Sequence, residues 1–286
     1  MKVLIIGGRG YIGSCLFTHL TNQGVDVQIF GDRQQDYNIL GRIFLSHFTH
    51  IILLAGHSSV LRCNGPLESS WKNNVRNFKN LVDKTDNRQT IIYASSASVY
   101  GDKDTKPLYT EEDMSVDYVN NYDLTKVSLD LLAMKYISNG RQIVGLRFGT
   151  VNGGSSVIRR DLMINSMVYS SIQQGSITIT NKHIKRPILS TRDLSRAVET
   201  IIKSNLKSGI FNLFNNLYKL YYDKELMINE IYNNFEFCVI NACYYNIEEL
   251  KNILKIKKIK KPLEVTLYLN LNNKNFEKIH NIIKEN

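Results

Sequence analysis

The sequence predicts an α/β fold, a doubly wound parallel sheet with a smaller C-terminal lobe, and three observations carry that expectation. Val3-Leu4-Ile5-Ile6 is a short apolar run without alternation, ended by Gly7. A strand that is apolar at every position is covered on both faces, as in a parallel sheet. Gly7, Gly10 and Gly13 then recur at steps of three and open a helical pattern through Leu16, Phe17 and Leu20. Further strand-like runs alternate with helical stretches, the order that builds βαβ units. The length of 286 residues suits one large domain or two closely joined ones. An apolar share of 43% with 22% charged residues is an ordinary globular mix, which excludes disordered, collagen-like and coiled-coil chains.

The first strand leads into the turn Gly7-Gly8-Arg9-Gly10-Tyr11-Ile12-Gly13. Residues without Cβ let backbone amides approach a pyrophosphate at a helix N-terminus, so this turn predicts a bound dinucleotide. Gly24 closes the helix, and a second strand follows over 25–30. Behind it stands Asp32, 19 residues past Gly13, and then Arg33. A carboxylate at Asp32 accepts two hydrogen bonds from the ribose of NAD. Arg9 and Arg33 offer instead guanidinium forks for the extra phosphate of NADP. Both cofactors stay open, with NAD favoured. Asp36 and Tyr37 are candidates to cap the adenine. Together these features are the Rossmann arrangement, and they make residues 1–154 a dinucleotide-binding domain.

A third strand, 51–54, runs into Ala55-Gly56-His57-Ser58-Ser59-Val60. The carboxyl end of such a strand is where ligands bind in these sheets. Asn74-Val75 lies in a helical stretch over 67–84. The strand 90–94 ends in Ser95-Ser96-Ala97-Ser98-Val99-Tyr100-Gly101. Tyr122-Asp123-Leu124-Thr125-Lys126 opens a helix over 122–137, and the next strand ends in Leu146-Arg147-Phe148-Gly149-Thr150-Val151-Asn152-Gly153. Tyr122 and Lys126, four residues apart on a helix, share a face. A phenol with a pKa of about 10 is a poor base at neutral pH. An ammonium one turn away favours the phenolate and makes the pair an acid/base device.

In this order the motifs resemble the extended short-chain dehydrogenase/reductase family, in its nucleotide-sugar epimerase, dehydratase and reductase branch. The likeness runs from Met1 to about Asn215. It implies catalytic roles for Ser96, Tyr122 and Lys126: Ser96, 26 residues before Tyr122, orients a sugar hydroxyl, Tyr122 exchanges its proton, and Lys126 also holds the nicotinamide ribose. It implies a cofactor site of Gly7, Arg9, Gly10, Tyr11, Ile12, Gly13, Asp32, Arg33, Asp36, Tyr37, Leu54, Ala55, Gly56 and Val151, with Tyr122 and Lys126. It implies a substrate site of Ser58, Ser59, Ser96, Thr150, Arg159, Asn165 and Arg186. Asn165 and Arg186 match family residues at the nucleotide diphosphate, and a guanidinium suits two phosphoryl oxygens. Thr150 is a departure, because many relatives carry Asn there. The chain also has no arginine after Arg196, where relatives usually place a second diphosphate arginine, so a lysine such as Lys224 or Lys257 would have to substitute.

Within the branch, Asp-Glu after the catalytic Ser or Thr marks 4,6-dehydratases. Ala97 and Ser98 stand there instead and disfavour dehydration. The expectation is an NAD(P)-dependent enzyme moving a hydride at sugar C4, a 4-epimerase or 4-dehydrogenase. The alternatives are an NADPH-dependent 4-keto-sugar reductase and a non-enzymatic, cofactor-sensing module, the latter disfavoured by the intact Tyr–Lys pair. The expected sheet has seven strands, mostly parallel, with helices on both faces, and the resemblance further implies a homodimer built on helices 67–84 and 122–137. Residues 155–286 would form mainly the substrate-binding lobe, with 209–215 returning to the first domain.

The net charge of +10 and a pI near 9.3 suit an anionic ligand as well as a solvated lysine surface. Cys15, Cys63, Cys238 and Cys243 are too scattered for a zinc site or a disulfide framework. The apolar run at Val3 to Ile6 is too short for a signal-peptide core, and no stretch approaches the roughly 18 apolar residues of a membrane span. These features predict a cytoplasmic protein without metal or membrane. The amphipathic, lysine-rich stretch 248–261 has too few aromatic residues to read as a nucleic-acid surface.

Overall fold

The computed structural model describes residues 1–31, 35–101, 110–114, 120–174, 177–179, 187–204, 206–214 and 265–267. The chain runs β1 (Lys2–Ile6), α1 (Tyr11–Asn22), β2 (Asp26–Phe30), α2 (Arg42–Leu45), β3 (His50–Leu53), α3 (Leu67–Trp71), α4 (Asn77–Asp83), β4 (Thr90–Ser96), α5 (Asn121–Ser138) and β5 (Ile143–Phe148). It continues through β6 (Thr150–Asn152), α6 (Met163–Gln174), β7 (Ile177–Ile179), β8 (Ile188–Ser190), α7 (Thr191–Lys203), β9 (Gly209–Leu213) and β10 (Val265–Leu267).

Two units form. The first comprises Met1–Gly149 and Leu194–Leu213. It holds a six-stranded sheet in the order β2-β1-β3-β4-β5-β9, parallel at every pairing. The apolar strands fill it as their sequences demand: Val3, Leu4, Ile5 and Ile6 are buried, as are Ile51, Ile52, Ile91 and Ile92. On one face Leu4, Ile6, Ile51, Leu53, Ile91 and Tyr93 join Phe78, Leu81 and Val82 of α4 and Leu129 and Ala133 of α5 in a single core. Fully burying such a side chain contributes about 1.5–3 kcal/mol. This is the doubly wound fold that the sequence predicts.

The second unit comprises Thr150–Asp193 and 214–286. Its described residues form α6 and two small sheets, β6 parallel to β8 and β7 antiparallel to β10.

Two expectations are corrected. The main sheet has six strands among the described residues, not seven, because the chain leaves it at Gly149 and Thr150–Asn152 pairs with Ile188–Ser190 instead. The stretch 67–84 is not one uniform helix. A π turn, Lys72–Arg76, separates α3 from α4, and it carries Asn74, whose amide bonds outside the helix. A π turn of this kind often marks a functional position. The stretch 248–261 lies outside the described residues.

Candidate active site

In the sheet of the first unit, β1 lies between β2 and β3, so successive connections depart from it in opposite directions. At such a switch point the strand ends leave a crevice for a ligand. The loop after β1 is tied down by Gly7 N–H donating to Phe30 O (2.8 Å) and Gly10 N–H donating to Gly7 O (3.0 Å). The loop after β3 joins it, with Leu54 and Ala55 N–H both donating to Ile6 O (2.9 and 3.1 Å). A Cβ on Gly13 would stand 2.2 Å from Gly7 O, so only glycine lets α1 pack this closely on the loop. The N-cap of α1 is Gly10, with no capping side chain and no acidic residue in the first turn. The partial positive charge of the helix end therefore stays available to an anion.

Around this loop Arg9 is exposed, Ile12 half-buried and Tyr11 buried. Asp36 turns its carboxylate to Asn38 N–H (3.0 Å) and to Asn77 Nδ2 (3.4 Å). Tyr37 is buried in the core, and burial pushes its phenol above the ordinary range. Asp32 and Arg33 lie outside the described residues.

One strand further on, Ser96 closes β4, and its Oγ accepts from Ser98 N–H (3.2 Å), capping the 3₁₀ turn Ala97–Tyr100. Helix α5 starts at an Asn120 cap, whose Oδ1 accepts from Asp123 N–H (3.0 Å). Tyr122 and Lys126 follow on one face, with Lys126 Nζ 5.7 Å from the centre of the Tyr122 ring. Lys126 Nζ donates to Ala94 O (2.7 Å), which binds α5 to β4 two residues before Ser96. Burial lowers the Lys126 pKa to about 8, against the pull of Asp130 and of Cys63. Its ammonium therefore titrates closer to physiological pH than that of an ordinary lysine, and a group so perturbed is a candidate for a functional site.

Two further groups are absent from the sequence reading of the site. The first is Asn74, which is buried. Its Oδ1 accepts from His57 N–H (2.8 Å), and its Nδ2 donates to His57 O (3.1 Å) and to Thr125 Oγ1 (3.0 Å). Thr125 Oγ1 in turn donates to Tyr122 O (2.9 Å). A Cβ on Gly56 would stand 2.7 Å from Asn74 Oδ1. Asn74 thus clamps the β3 loop to the first turn of α5. Its signal was a polar residue four positions from both Ser70 and Phe78, on the buried face of a helix. The second is the fully buried ion pair Arg147–Asp130 (Nε–Oδ2 2.8 Å). Its signal was an arginine inside the strand Ile143–Phe148, where all six residues are buried.

The remaining candidates fall elsewhere. Ser58 is exposed, and Ser59 Oγ accepts from Arg62 N–H (3.3 Å). In the second unit Thr150 and Val151 lie on β6, with Thr150 N–H donating to Pro187 O (2.7 Å). Asn165 is buried, its Oδ1 accepting from Gly153 N–H (3.1 Å) and its Nδ2 donating to Arg159 O (3.0 Å). The Arg159 guanidinium faces the Asp161 carboxylate, Nε to Oδ1 at 3.0 Å. Arg186 lies outside the described residues. The structure thus gathers the glycine loop, Leu54–Gly56, Ser96, Tyr122 and Lys126 within the first unit, and Thr150, Val151, Arg159 and Asn165 within the second.

The first unit thus carries a switch-point glycine loop and a Ser, Tyr and Lys set at the end of β4 and the start of α5. Residues 3–213 match the NAD dependent epimerase/dehydratase family. The chain belongs to this family. Members are enzymes, and the chain is 26% identical over 236 residues to Protein CapI of Staphylococcus aureus, covering 71% of this chain and 70% of that one. It is 29% identical over 173 residues to a UDP-glucose 4-epimerase of Corynebacterium glutamicum, covering 54% of this chain and 52%, about half, of that enzyme. Among solved structures it shares the fold of TunA, an NAD dependent NDP-hexosamine 5,6-dehydratase, with a TM-score of 0.66 and 21% identity over 75% of each chain.

The NAD that defines the family fits the residues present. The uncapped start of α1 and the close approach at Gly13 leave backbone amides, not a side chain, to face a pyrophosphate. Lys126 is bound to the end of β4, which is separated from β1 by β3 alone. Among the described residues no helix is long and apolar enough to cross a membrane.

Proposed function

We propose that this protein is a UDP-sugar 4-epimerase that keeps its NAD through the catalytic cycle. The carrying observation is the buried Lys126 ammonium, fixed on Ala94 O and 5.7 Å from the Tyr122 ring. Bound NAD supplies the acceptor, and then the donor, of the hydride at sugar C4. Tyr122, as phenolate, takes the C4 hydroxyl proton while the hydride leaves the same carbon, which yields a 4-keto sugar. Ser96 donates a hydrogen bond to that oxygen and holds it in line with Tyr122. Lys126 lowers the cost of the phenolate by its charge and holds the nicotinamide ribose. Once the ketone has turned its other face toward the bound cofactor, which would supply the hydride, Tyr122 would give the proton back to the C4 oxygen and the inversion would be complete. The 4-epimerase relative supports the choice of reaction and nucleotide, and Ala97 and Ser98 after Ser96 argue against dehydration.

Arg159, Asn165, Thr150 and Arg186 are proposed to bind the sugar nucleotide, with Ser58 and Ser59 facing the sugar. Asp32 is proposed on the adenosine ribose. A homodimer is proposed through α3–α4 and α5, whose Leu67, Leu131 and Met134 are 40%, 52% and 50% exposed. The protein is placed in the cytoplasm, where thiols such as Cys15 and Cys63 stay reduced.

The test has two parts. The supernatant of denatured protein should contain NAD by absorbance and mass. The native protein, given UDP-glucose, UDP-glucuronic acid or UDP-N-acetylglucosamine, should form the C4 epimer of one of them by NMR without added cofactor. A preparation that binds only NADPH, or that releases a reduced or dehydrated sugar, defeats this reading.

A further inference from the structure

Helix α5 presents Tyr122, Lys126 and Asp130 at intervals of four residues, about 6 Å apart along one face. Asp130 is wholly buried. Its Oδ1 accepts from Tyr93 Oη (2.8 Å), on β4 three residues before Ser96, and its Oδ2 accepts from Arg147 Nε (2.8 Å). Arg147 also reaches the turn that follows β4. Its Nη1 donates to Tyr100 Oη (3.0 Å), and its guanidinium lies 5.3 Å from the centre of the Tyr100 ring. Tyr100 is the last residue of the 3₁₀ turn that Ser96 caps, and its hydroxyl donates to Asn212 Oδ1 on β9. The same Nη1 also donates to Glu111 O (2.9 Å).

We propose that Arg147 is a positioning residue. Its guanidinium, joined to Asp130 on α5 and to Tyr100 at the end of the Ser96 turn, sets the spacing between Ser96 and the Tyr122–Lys126 pair. The inference rests on the catalytic reading above and adds to it the part that holds the two halves of the device in register.

Stability alone is a weak reason for this arrangement. A buried ion pair is costly to desolvate, and well-packed apolar residues often serve as well or better. A charged fork has a directional use that an apolar pair lacks: each N–H demands an acceptor at one place. Arg147 meets Asp130 on the helix and Tyr100 on the turn at once, and α5 is stiff between Asp130 and Tyr122. Displacement of the turn relative to the helix would therefore break the part-buried Arg147–Tyr100 hydrogen bond. A proton transfer shared by Ser96 and Tyr122 is the kind of step that tolerates such displacement poorly.

Tyr100→Phe tests this, because it keeps the ring and deletes one hydroxyl while Arg147 retains Asp130 and Glu111 O. In holoenzyme assayed with the UDP-sugar that the native protein epimerises, kcat should fall about ten- to a hundredfold. KM, NAD content and the thermal midpoint should stay near the native values. Arg147→Lys, which keeps the charge but not the fork, should show the same loss in kcat. A kcat within twofold of native in Tyr100→Phe overturns the proposal. So does a parallel loss of kcat, KM and thermal midpoint, which marks a merely structural role, and so does full rescue by lysine. Tyr122→Phe separates the two levels: an active Tyr122→Phe sinks the catalytic reading itself, whereas an inactive Tyr122→Phe beside a normal Tyr100→Phe sinks only the positioning role.

Discussion

Replacing Asn74 by alanine removes three hydrogen bonds at once, to His57 N–H, His57 O and Thr125 Oγ1. Thr125 keeps a partner in Tyr122 O and His57 O keeps the Cys63 thiol (Sγ to O 4.0 Å), but His57 N–H loses the Asn74 amide. A net contribution of about 1 kcal/mol per bond, and somewhat more where a buried group is stranded, gives a loss of about 3 kcal/mol. In a chain of this size each kcal/mol moves the thermal midpoint by about 2–4 °C, so a fall of about 6–12 °C is expected. The neighbour supplies the control. Asn73 makes one exposed bond, Nδ2 to Ser69 O (2.9 Å), and Asn73→Ala should stay within about 0.5 kcal/mol. Urea and thermal unfolding of both variants measure the difference, and titration with NAD shows whether the Ala55–Gly56 loop has loosened. NAD affinity should fall in Asn74→Ala and hold in Asn73→Ala. If Asn74→Ala costs under about 1 kcal/mol and binds NAD normally, Asn74 does not clamp the site.

Two further outcomes concern the cofactor. Lys126 has its pKa lowered by burial to about 8, so it is an ammonium below that pH and an amine above it. NAD affinity, measured by calorimetry of the cofactor-free protein, should therefore be highest below pH 8 and weaken through pH 8 to 9. Lys126→Met should bind more weakly at neutral pH and lose this dependence. Gly13→Ala would bring a Cβ to 2.2 Å from Gly7 O. The loop must give way, with a cost of about 1–3 kcal/mol in urea unfolding and little or no NAD in the purified protein. Normal NAD content in that variant would show that the loop does not carry the cofactor.

The glycine loop was legible because its signal is local: an apolar strand, a glycine turn and a helix, all within 22 residues. The Ser96, Tyr122 and Lys126 set was legible for a similar reason, since a strand end and an i, i+4 pair are short-range patterns. Asn74 was not, because its partners lie 17 and 51 residues away, and an amide on a helix face gives no sign of which loop it will meet. The π turn that carries it has no distinctive composition. Arg147 stands in a recognisable strand-end motif, but its burial and its bond to Asp130 depend on β5 lying beside β4 and on the packing of α5. The count of strands in the main sheet was not legible because a strand's partner is a property of the whole fold: Thr150–Asn152 forms a strand, but it pairs with β8 rather than joining the main sheet.

The most direct measurement is hydride transfer in Tyr122→Phe. Purified holoenzyme is mixed with the UDP-sugar that the native protein epimerises, and absorbance of reduced cofactor at about 340 nm is followed in a single turnover. The variant should retain its NAD and its fold, and transfer should slow by about 10²–10⁴-fold, since only the proton route is removed. Transfer at the native rate would show that Tyr122 moves no proton.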